Sequence, residues 1–249
     1  MKHAAIIQAR MGSTRMAGKI LQPFYNGETI LSIITDRLSA IPGLDVIIAT
    51  TENNKDDEIE RFALKRGIKL FRGSENDVLL RFIEAAEKFD VENIIRICSD
   101  NPFLSGDGIK KLIKATEKDS YDYISFKINE KPSILTHFGF YAEFVRLKAL
   151  KRVQTLTDLP LFHEHVTNYI YNNPDEFNIN WLTADKILDG RNDIRLTIDK
   201  PLDFQNAQLI YSQLKERDKE LSIGNIIDAL DSHPEILDEM KKMIRINEK

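Results

Sequence analysis

The chain has 249 residues, 42% of them hydrophobic and 30% charged, which is enough apolar material for one large α/β domain or two small ones and excludes a disordered chain. A formal net charge of −4 and a pI near 5.8 exclude the basic footprint of a protein that wraps nucleic acid or lies on an anionic membrane, so a small-molecule partner is expected. The single cysteine, Cys98, excludes an internal disulfide framework and a multi-cysteine metal site.

Residues 4–9 open the chain as a short apolar run that predicts a buried strand. No h-region or small-residue cleavage site precedes it, and no apolar run approaches the ~20 residues of a membrane helix, so a cytoplasmic location is expected. Residues 28–41 place Ile30, Ile33, Ile34, Leu38 and Ile41 on one face, which is helical spacing. A second strand is predicted over 45–51, a helix over 56–66, a third strand over 69–72 and an amphipathic helix over 76–89. Short apolar runs alternating with helical periods are the mark of βα units that build a mostly parallel sheet.

The next strand, 93–98, ends in Ser99-Asp100-Asn101-Pro102, whose proline and short polar residues favour a turn. In open α/β sheets ligands bind outside the carboxyl ends of the strands, where this turn would lie. A helix over 110–118 and a strand over 121–126 follow. Between 127 and 191 the pattern is irregular, broken by Pro132, Pro160 and Pro174, and reads as an insertion. Residues 195–199 read as a strand, Pro201 opens a helix at its favoured first-turn position, and the tail from Ser222 is helical with an interruption at His233-Pro234.

Most of the chemistry sits in residues 8–19, Gln8-Ala9-Arg10-Met11-Gly12-Ser13-Thr14-Arg15-Met16-Ala17-Gly18-Lys19. Glycines let backbone N–H groups approach an anion, and arginine forks and a lysine pair with phosphate oxygens, so the segment can cradle a triphosphate. It lacks the spacing of a Walker A loop. On residue chemistry alone a solvated basic turn after a strand is equally open.

This segment resembles the Q-A-R-M-G-S-T-R-L-P-G-K signature of the SpsF-type cytidylyltransferase family, relatives of the CMP-KDO and CMP-sialate synthetases, from which only Met16 and Ala17 depart. The resemblance implies a three-layer α/β/α, nucleotide-diphospho-sugar transferase-like fold (Rossmann-like, GT-A type) with a mostly parallel sheet and an inserted acceptor or dimerisation region. It implies one domain over 1–249: 1–126 mainly nucleotide-binding, 127–191 for the acceptor and a homodimer interface, and 192–249 carrying a metal-site strand and C-terminal helices. Arg15 and Lys19 are implied catalytic phosphate ligands, with Gln8, Ala9, Arg10, Gly12 and Ser13 around the nucleotide. The run from Phe71 to Arg81 resembles the family block F-R-G-S-E-x-D-V-L-x-R, which adds Arg72, Asp77 and Arg81 to the nucleotide contacts. For Asp77 a helix cap is an equally good reading.

Nucleotidyl transfer requires the α-phosphate charge to be neutralised, which suits Mg²⁺ on oxygen ligands. Asp100 and Asp199, each expected to follow a strand, are the candidates, although Asp before a turn or helix is often only a cap. Their surroundings resemble the family blocks R-x-T-G-D-C-P-L and R-L-T-V-D-T-P-E-D, with Ser99 and Asn101 replacing Gly and Cys. The resemblance implies that both hold the catalytic Mg²⁺. Asp203 reads as a first-turn helix residue that could support the second site.

The runs 139–144 and 162–167 resemble the blocks G-L-D-V-E-V and E-R-E-H-V-T, which makes Glu143, Glu164 and His165 candidate acceptor-binding residues. For His165, packing is as good a reading as binding. His163 and His165 do not read as a zinc pair, because i,i+2 residues face apart on a helix. Tyr141 stands where the family has Asp, which suits a different or less polar acceptor. The expected activity is transfer of CMP from CTP, or the corresponding unit of another NTP, to a sugar or sugar acid with release of pyrophosphate. A GT-A glycosyltransferase and a non-catalytic nucleotide-binding protein of a polysaccharide pathway are the alternatives. No nucleic-acid or membrane partner is expected.

Overall fold

A computed structural model of the chain describes residues 2–12 and 15–246; the candidate Ser13 therefore lies outside the described residues. The first strand, β1 (His3–Gln8), lies between β4 (Leu44–Thr51) and β6 (Asn93–Cys98) and is parallel to both. Its Ala4-Ala5-Ile6-Ile7 run is wholly buried, the pattern expected of a strand covered on both faces. Ala5 and Ile7 pack on one side with α1 (Ile30–Ser39) and α4 (Gly106–Thr116). Ala4 and Ile6 pack on the other with α3 (Val78–Lys88) and α5 (Leu147–Leu156). Each buried isoleucine contributes about 1.5–3 kcal/mol, so β1 holds the two layers together.

Beyond β4 lies β5 (Lys69–Gly73), parallel to it. On the other side β9 (Glu143–Arg146) pairs antiparallel with both β6 and β7 (Tyr123–Ile128), and β7 pairs parallel with β10 (Ile179–Thr183). The order is β10-β7-β9-β6-β1-β4-β5, with the short β8 (Lys131–Pro132) on β7 and a separate ribbon of β2 (Pro23–Tyr25) and β3 (Glu28–Thr29). The result is the mostly parallel, helix-flanked sheet expected from the βα alternation. The irregular stretch 127–191 contributes β9 and β10 to this sheet, and also α6 (Pro160–Glu164) and α7 (Asn168–Asn172).

Two expectations need correction. Residues 195–199 form no strand: the amides of Leu196 and Thr197 donate to His137 O (2.8 and 3.2 Å) and that of Ile198 to Asp100 O (3.1 Å). Alternating apolar side chains produce the same period whether the backbone partners are a ladder or loop carbonyls, and here they are loop carbonyls. The helix expected over 110–118 begins earlier, at Gly106, because the Ser105 hydroxyl caps the Gly108 amide (3.0 Å); the two early glycines hide its first turn from a propensity reading.

The remaining helices follow the pattern. α1 starts on a capping box between Thr29 and Ser32, α2 spans Asp57–Lys65, and α8 (Pro201–Glu216) begins on its proline. α9 (Ile223–Asp231) and α10 (Pro234–Ile246) meet at His233. Among the described residues no helix is long and apolar enough to cross a membrane.

Candidate active site

Because β1, β4 and β6 are parallel, their carboxyl ends at Gln8, Thr51 and Cys98 share one edge of the sheet, and the loop after β1 rises from it. Ala9 extends the strand register by donating to Ala49 O (3.2 Å). The loop closes where Gly18 N donates to Met11 O (3.1 Å). Gly18 has φ +69°, and a Cβ there would come within 3.2 Å of Met11 Cε, so this position needs glycine. The middle of the loop is tied down by Asp56, whose Oδ1 accepts from Met11 N (2.7 Å) and whose Oδ2 accepts from the Thr51 hydroxyl and amide. Asp56 is buried. Sequence reading missed it, because an acidic residue just before a helix looks like an ordinary cap.

The chain then turns so that Lys19, 8% exposed, points its ammonium at Asp100 Oδ2 (3.3 Å) and the carbonyl of Ile198. Arg15 Nη2 lies 2.9 Å from Asp199 Oδ1. On its other oxygen Asp199 accepts from Arg195 Nη2 (2.9 Å). Arg195 is buried, and its remaining donors go to Asp203 (Nε 2.8 Å, Nη2 3.0 Å) and to Nδ1 of His137 (2.8 Å). Burial opposes the Arg195 charge, but Asp203 and then Asp199 outweigh it and raise its pKa above the ordinary value. Asp203 also accepts from the amides of Asp199 and Lys200 (both 2.9 Å). It thus starts α8 and fixes the backbone that carries Asp199, combining the two readings its sequence position allowed.

Two cavities meet at this pair of acids. One, about 190 Å³, is lined by Gln8, Arg10, Arg15, Lys19, Ile20 and Ser99. The other, about 100 Å³, is lined by Asn101, Ser133, Ile134, Thr136, Phe138, Gly139, Phe140, Tyr141 and Thr197. Cys98, Asp100 and Asp199 line both. The structure therefore brings together Gln8, Arg10, Arg15, Lys19, Asp100 and Asp199 out of segments far apart in sequence. Gly12 sits on the same loop with Glu75 Oε1 3.8 Å from the place a Cβ would take.

Other candidates are engaged elsewhere. Arg72 is bound by Asp57 (2.8 Å), Glu60 (2.5 Å) and the carbonyls of Thr51 and Asn53 (both 2.9 Å), so its fork joins β5 to α2. Asp77 caps α3 through Leu80 N (2.8 Å) and accepts from His163 Nδ1 (2.7 Å). Arg81 is wholly buried and donates through Nη1 to Ser74 O, while its Nε and Nη2 have no hydrogen-bond partner among the described residues. Burial, and after it the neighbouring Arg10, push its pKa down to about 10.

Glu143, Glu164 and His165 line neither cavity. Glu143 is buried in the sheet, accepting from Arg96, from the Tyr123 hydroxyl and from Thr167 Oγ1 (2.9 Å). A carboxylate with that many donors is a structural anchor. Through Arg96 Nη2 it braces Gln8 Oε1 (3.3 Å) at the rim of the larger cavity. Burial opposes the Arg96 charge, yet Cys98 and Glu143 together hold its pKa above the ordinary value. Glu164 and His165 are exposed at the end of α6. The second cavity is instead walled by the 133–141 stretch, which has no period for sequence reading to detect.

Chemically, the larger cavity can hold a polyanion against Arg15 and Lys19, and the smaller can present a second molecule to it across Asp100 and Asp199. Comparison with known proteins gives the family. A protein of Methanocaldococcus jannaschii described only as uncharacterized is 36% identical over 95% of this chain and 93% of its own length. The spore coat polysaccharide biosynthesis protein SpsF of Bacillus subtilis is 34% identical over 92% of this chain and 94% of its own. A solved cytidylyltransferase from Leptospira borgpetersenii superposes with a TM-score of 0.82 at 27% identity, covering 95% of this chain and 97% of that one. The family model described as cytidylyltransferase matches residues 4–227, a span that takes in the β1 loop and both aspartates, and the chain belongs to that family.

Proposed function

We propose that this protein transfers CMP from CTP to a hydroxyl of a sugar-type acceptor and releases pyrophosphate, with Mg²⁺ held at Asp100 and Asp199. The observation that carries the reading is the meeting of two cavities at those two carboxylates, one cationic and one not. The donor set fits the ion: two hard oxygen ligands suit Mg²⁺, which takes one or two carboxylates and completes its shell with water and phosphate oxygens. Among the described residues no cluster of three or more His, Cys, Asp or Glu could form an all-protein metal cage. Bound there, the ion would neutralise charge on the phosphate under attack.

The chain's own residues do the rest. Lys19 and Arg15 now neutralise the two aspartates; with substrate present they turn to the departing pyrophosphate and stabilise the charge that develops on it. The hydrogen bond from Met11 to Asp56 and the Gly18 turn hold the loop that carries both cations. That preorganisation lets them act without reorganising at the moment of transfer. The acceptor hydroxyl approaches from the smaller cavity, opposite the leaving group, as in-line displacement requires. Its proton can be lost late, so no dedicated base is assigned. The likeness to a spore coat polysaccharide biosynthesis protein of Bacillus subtilis supports a product that feeds surface glycan synthesis.

The test is pyrophosphate release with each of the four ribonucleoside triphosphates and Mg²⁺ across a panel of sugars. The reading predicts release with CTP and an acceptor. Hydrolysis of a nucleotide-sugar without pyrophosphate release from any triphosphate would replace it with glycosyl transfer.

A further inference from the structure

One hydrogen bond away from the larger cavity lies a buried ion pair that the proposed transfer does not use. Arg96 on β6 and Glu143 on β9 are register partners in the sheet, 7% and 1% exposed, and Arg96 Nη1 donates to Glu143 Oε2. Glu143 also accepts from the Tyr123 hydroxyl and from Thr167 Oγ1 (2.9 Å), which leaves it no freedom to turn. A buried pair of this kind is seldom more stable than apolar residues of the same volume, so placement accounts for it better than stability does.

What it places is seen at the second arm of the guanidinium. Arg96 Nη2 donates to Gln8 Oε1 (3.3 Å). A guanidinium carries only donors, so the amide oxygen of Gln8 faces Arg96 and its Nε2 points away. Nε2 makes no hydrogen bond among the described residues and is not enclosed by protein. Gln8 is half-buried and lines the larger cavity, so the unpaired end of its amide meets open space there.

The sheet fixes where along the cavity this donor stands. Gln8 is the register partner of Cys98, on neighbouring strands about 4.8 Å apart, and paired residues share a face of the sheet. Cys98 lines both cavities. Gln8 therefore stands beside the junction of the two, while Arg10, Arg15 and Lys19 supply the positive charge of the nucleotide side. A phosphoryl group in transfer spreads its charge over its equatorial oxygens, and a fixed neutral donor beside them stabilises that charge without reorganising.

We infer that Gln8 is a catalytic donor whose Nε2 hydrogen-bonds a non-bridging oxygen of the phosphoryl group being transferred, and that Arg96 and Glu143 are the positioning residues that lock its amide in that orientation. This rests on the proposed CMP transfer, and the experiment separates the two. Pyrophosphate release from CTP, with the acceptor that the wild type turns over, is compared for Gln8→Met, Gln8→Glu and Arg96→Lys, with Tm recorded for each. In parallel the Gln8 side-chain amide, assigned by its loss in Gln8→Met, is followed by nitrogen–proton NMR. The ligand added there is α,β-methylene-CTP with Mg²⁺, which binds as CTP does but cannot release pyrophosphate.

Gln8→Met should lower kcat about 100-fold with KM for CTP within about threefold, and lower Tm by no more than about 4 °C, the cost of one hydrogen bond. Gln8→Glu keeps an acceptor for Arg96 and loses the donor, so its kcat should fall as far with Tm unchanged. Arg96→Lys keeps a cation for Glu143 but has no second arm for Gln8. Its kcat should fall about tenfold, and the Gln8 amide signal should broaden. Glu143→Gln, which leaves Arg96 an acceptor, serves beside it and should show a smaller loss in the same direction. In the wild type the amide signal should move when the analogue binds.

Wild-type kcat in either Gln8 variant, or an amide signal that ignores the analogue, overturns the inference. So does a rise in KM with kcat unchanged, which would place Gln8 in binding and not in transfer. Wild-type kcat and a sharp amide signal in both Arg96→Lys and Glu143→Gln overturn the positioning role. An amide that moves with the analogue while no triphosphate yields pyrophosphate keeps Gln8 as a phosphate donor and removes CMP transfer.

Discussion

Replacing Asp203 with alanine removes the carboxylate that holds Arg195 through two contacts (2.8 and 3.0 Å) and the amides of Asp199 and Lys200 (2.9 Å each). Arg195 is 1% exposed and cannot move to water, so its charge stays buried. Breaking a buried ion pair on one side costs about 3–5 kcal/mol. Asp199 and His137 still accept from the guanidinium, which favours the lower end, near 3 kcal/mol. In a domain of this size each kcal/mol shifts Tm by about 2–4 °C, so a fall of about 6–12 °C is expected by calorimetry or circular dichroism. Arg195 would also draw Asp199 more strongly, so kcat should fall with it. A Tm within 2 °C of wild type would refute the claim that Asp203 anchors this side of the site.

Gly18→Ala should cost about 1–2 kcal/mol at a left-handed position and raise KM for CTP several-fold, because the added methyl meets Met11 Cε at 3.2 Å; a CTP titration checks it, and an unchanged KM would free the loop from this requirement. Glu143→Ala should lower stability by about 3–5 kcal/mol by stranding buried Arg96, while leaving the acceptor KM close to wild type, since Glu143 lines neither cavity. A specific rise in acceptor KM with an unchanged Tm would restore it to the binding site. Burial opposes the charge on His163, but the Thr157 carbonyl and Asp77 outweigh it and raise its pKa above the ordinary 6.5. Its contribution to stability is therefore complete below pH 6.5 and lost as pH rises through the raised value. The Tm difference between wild type and His163→Gln should be larger at pH 5.5 than at pH 9, and a difference independent of pH would contradict the pairing with Asp77.

The central strands were readable because β1, β4 and β6 are covered on both faces, and an apolar run of strand length bounded by polar turns has few other interpretations. The same rule failed at residues 195–199. There the side chains alternate as in a strand, but the amides are taken by His137 and Asp100 carbonyls, and backbone partners leave no trace in composition. The cationic character of the β1 loop was readable because glycines and cations carry that chemistry in their identities. Asp56 was not, since an acid beside a helix start looks alike whether it caps or anchors a loop, and Asp203 was legible as support for the second site but not as the partner of a buried arginine. The wall of the smaller cavity was least visible: Ser133, Thr136 and Phe138 are ordinary residues in an aperiodic segment, and only folding brings them, with Thr197, to Asp100 and Asp199. The substitution at Tyr141 alone hinted at its character.

The central claim is that Asp100 and Asp199 join the nucleotide and acceptor sides of one transfer site. It is tested most directly by pyrophosphate release from CTP with Asp100→Asn and Asp199→Asn, using the acceptor that the wild type turns over and a titration of Mg²⁺. The account predicts that each loses on the order of 100-fold or more in kcat while CTP still binds, because Arg15 and Lys19 remain. Full activity in either variant would contradict it.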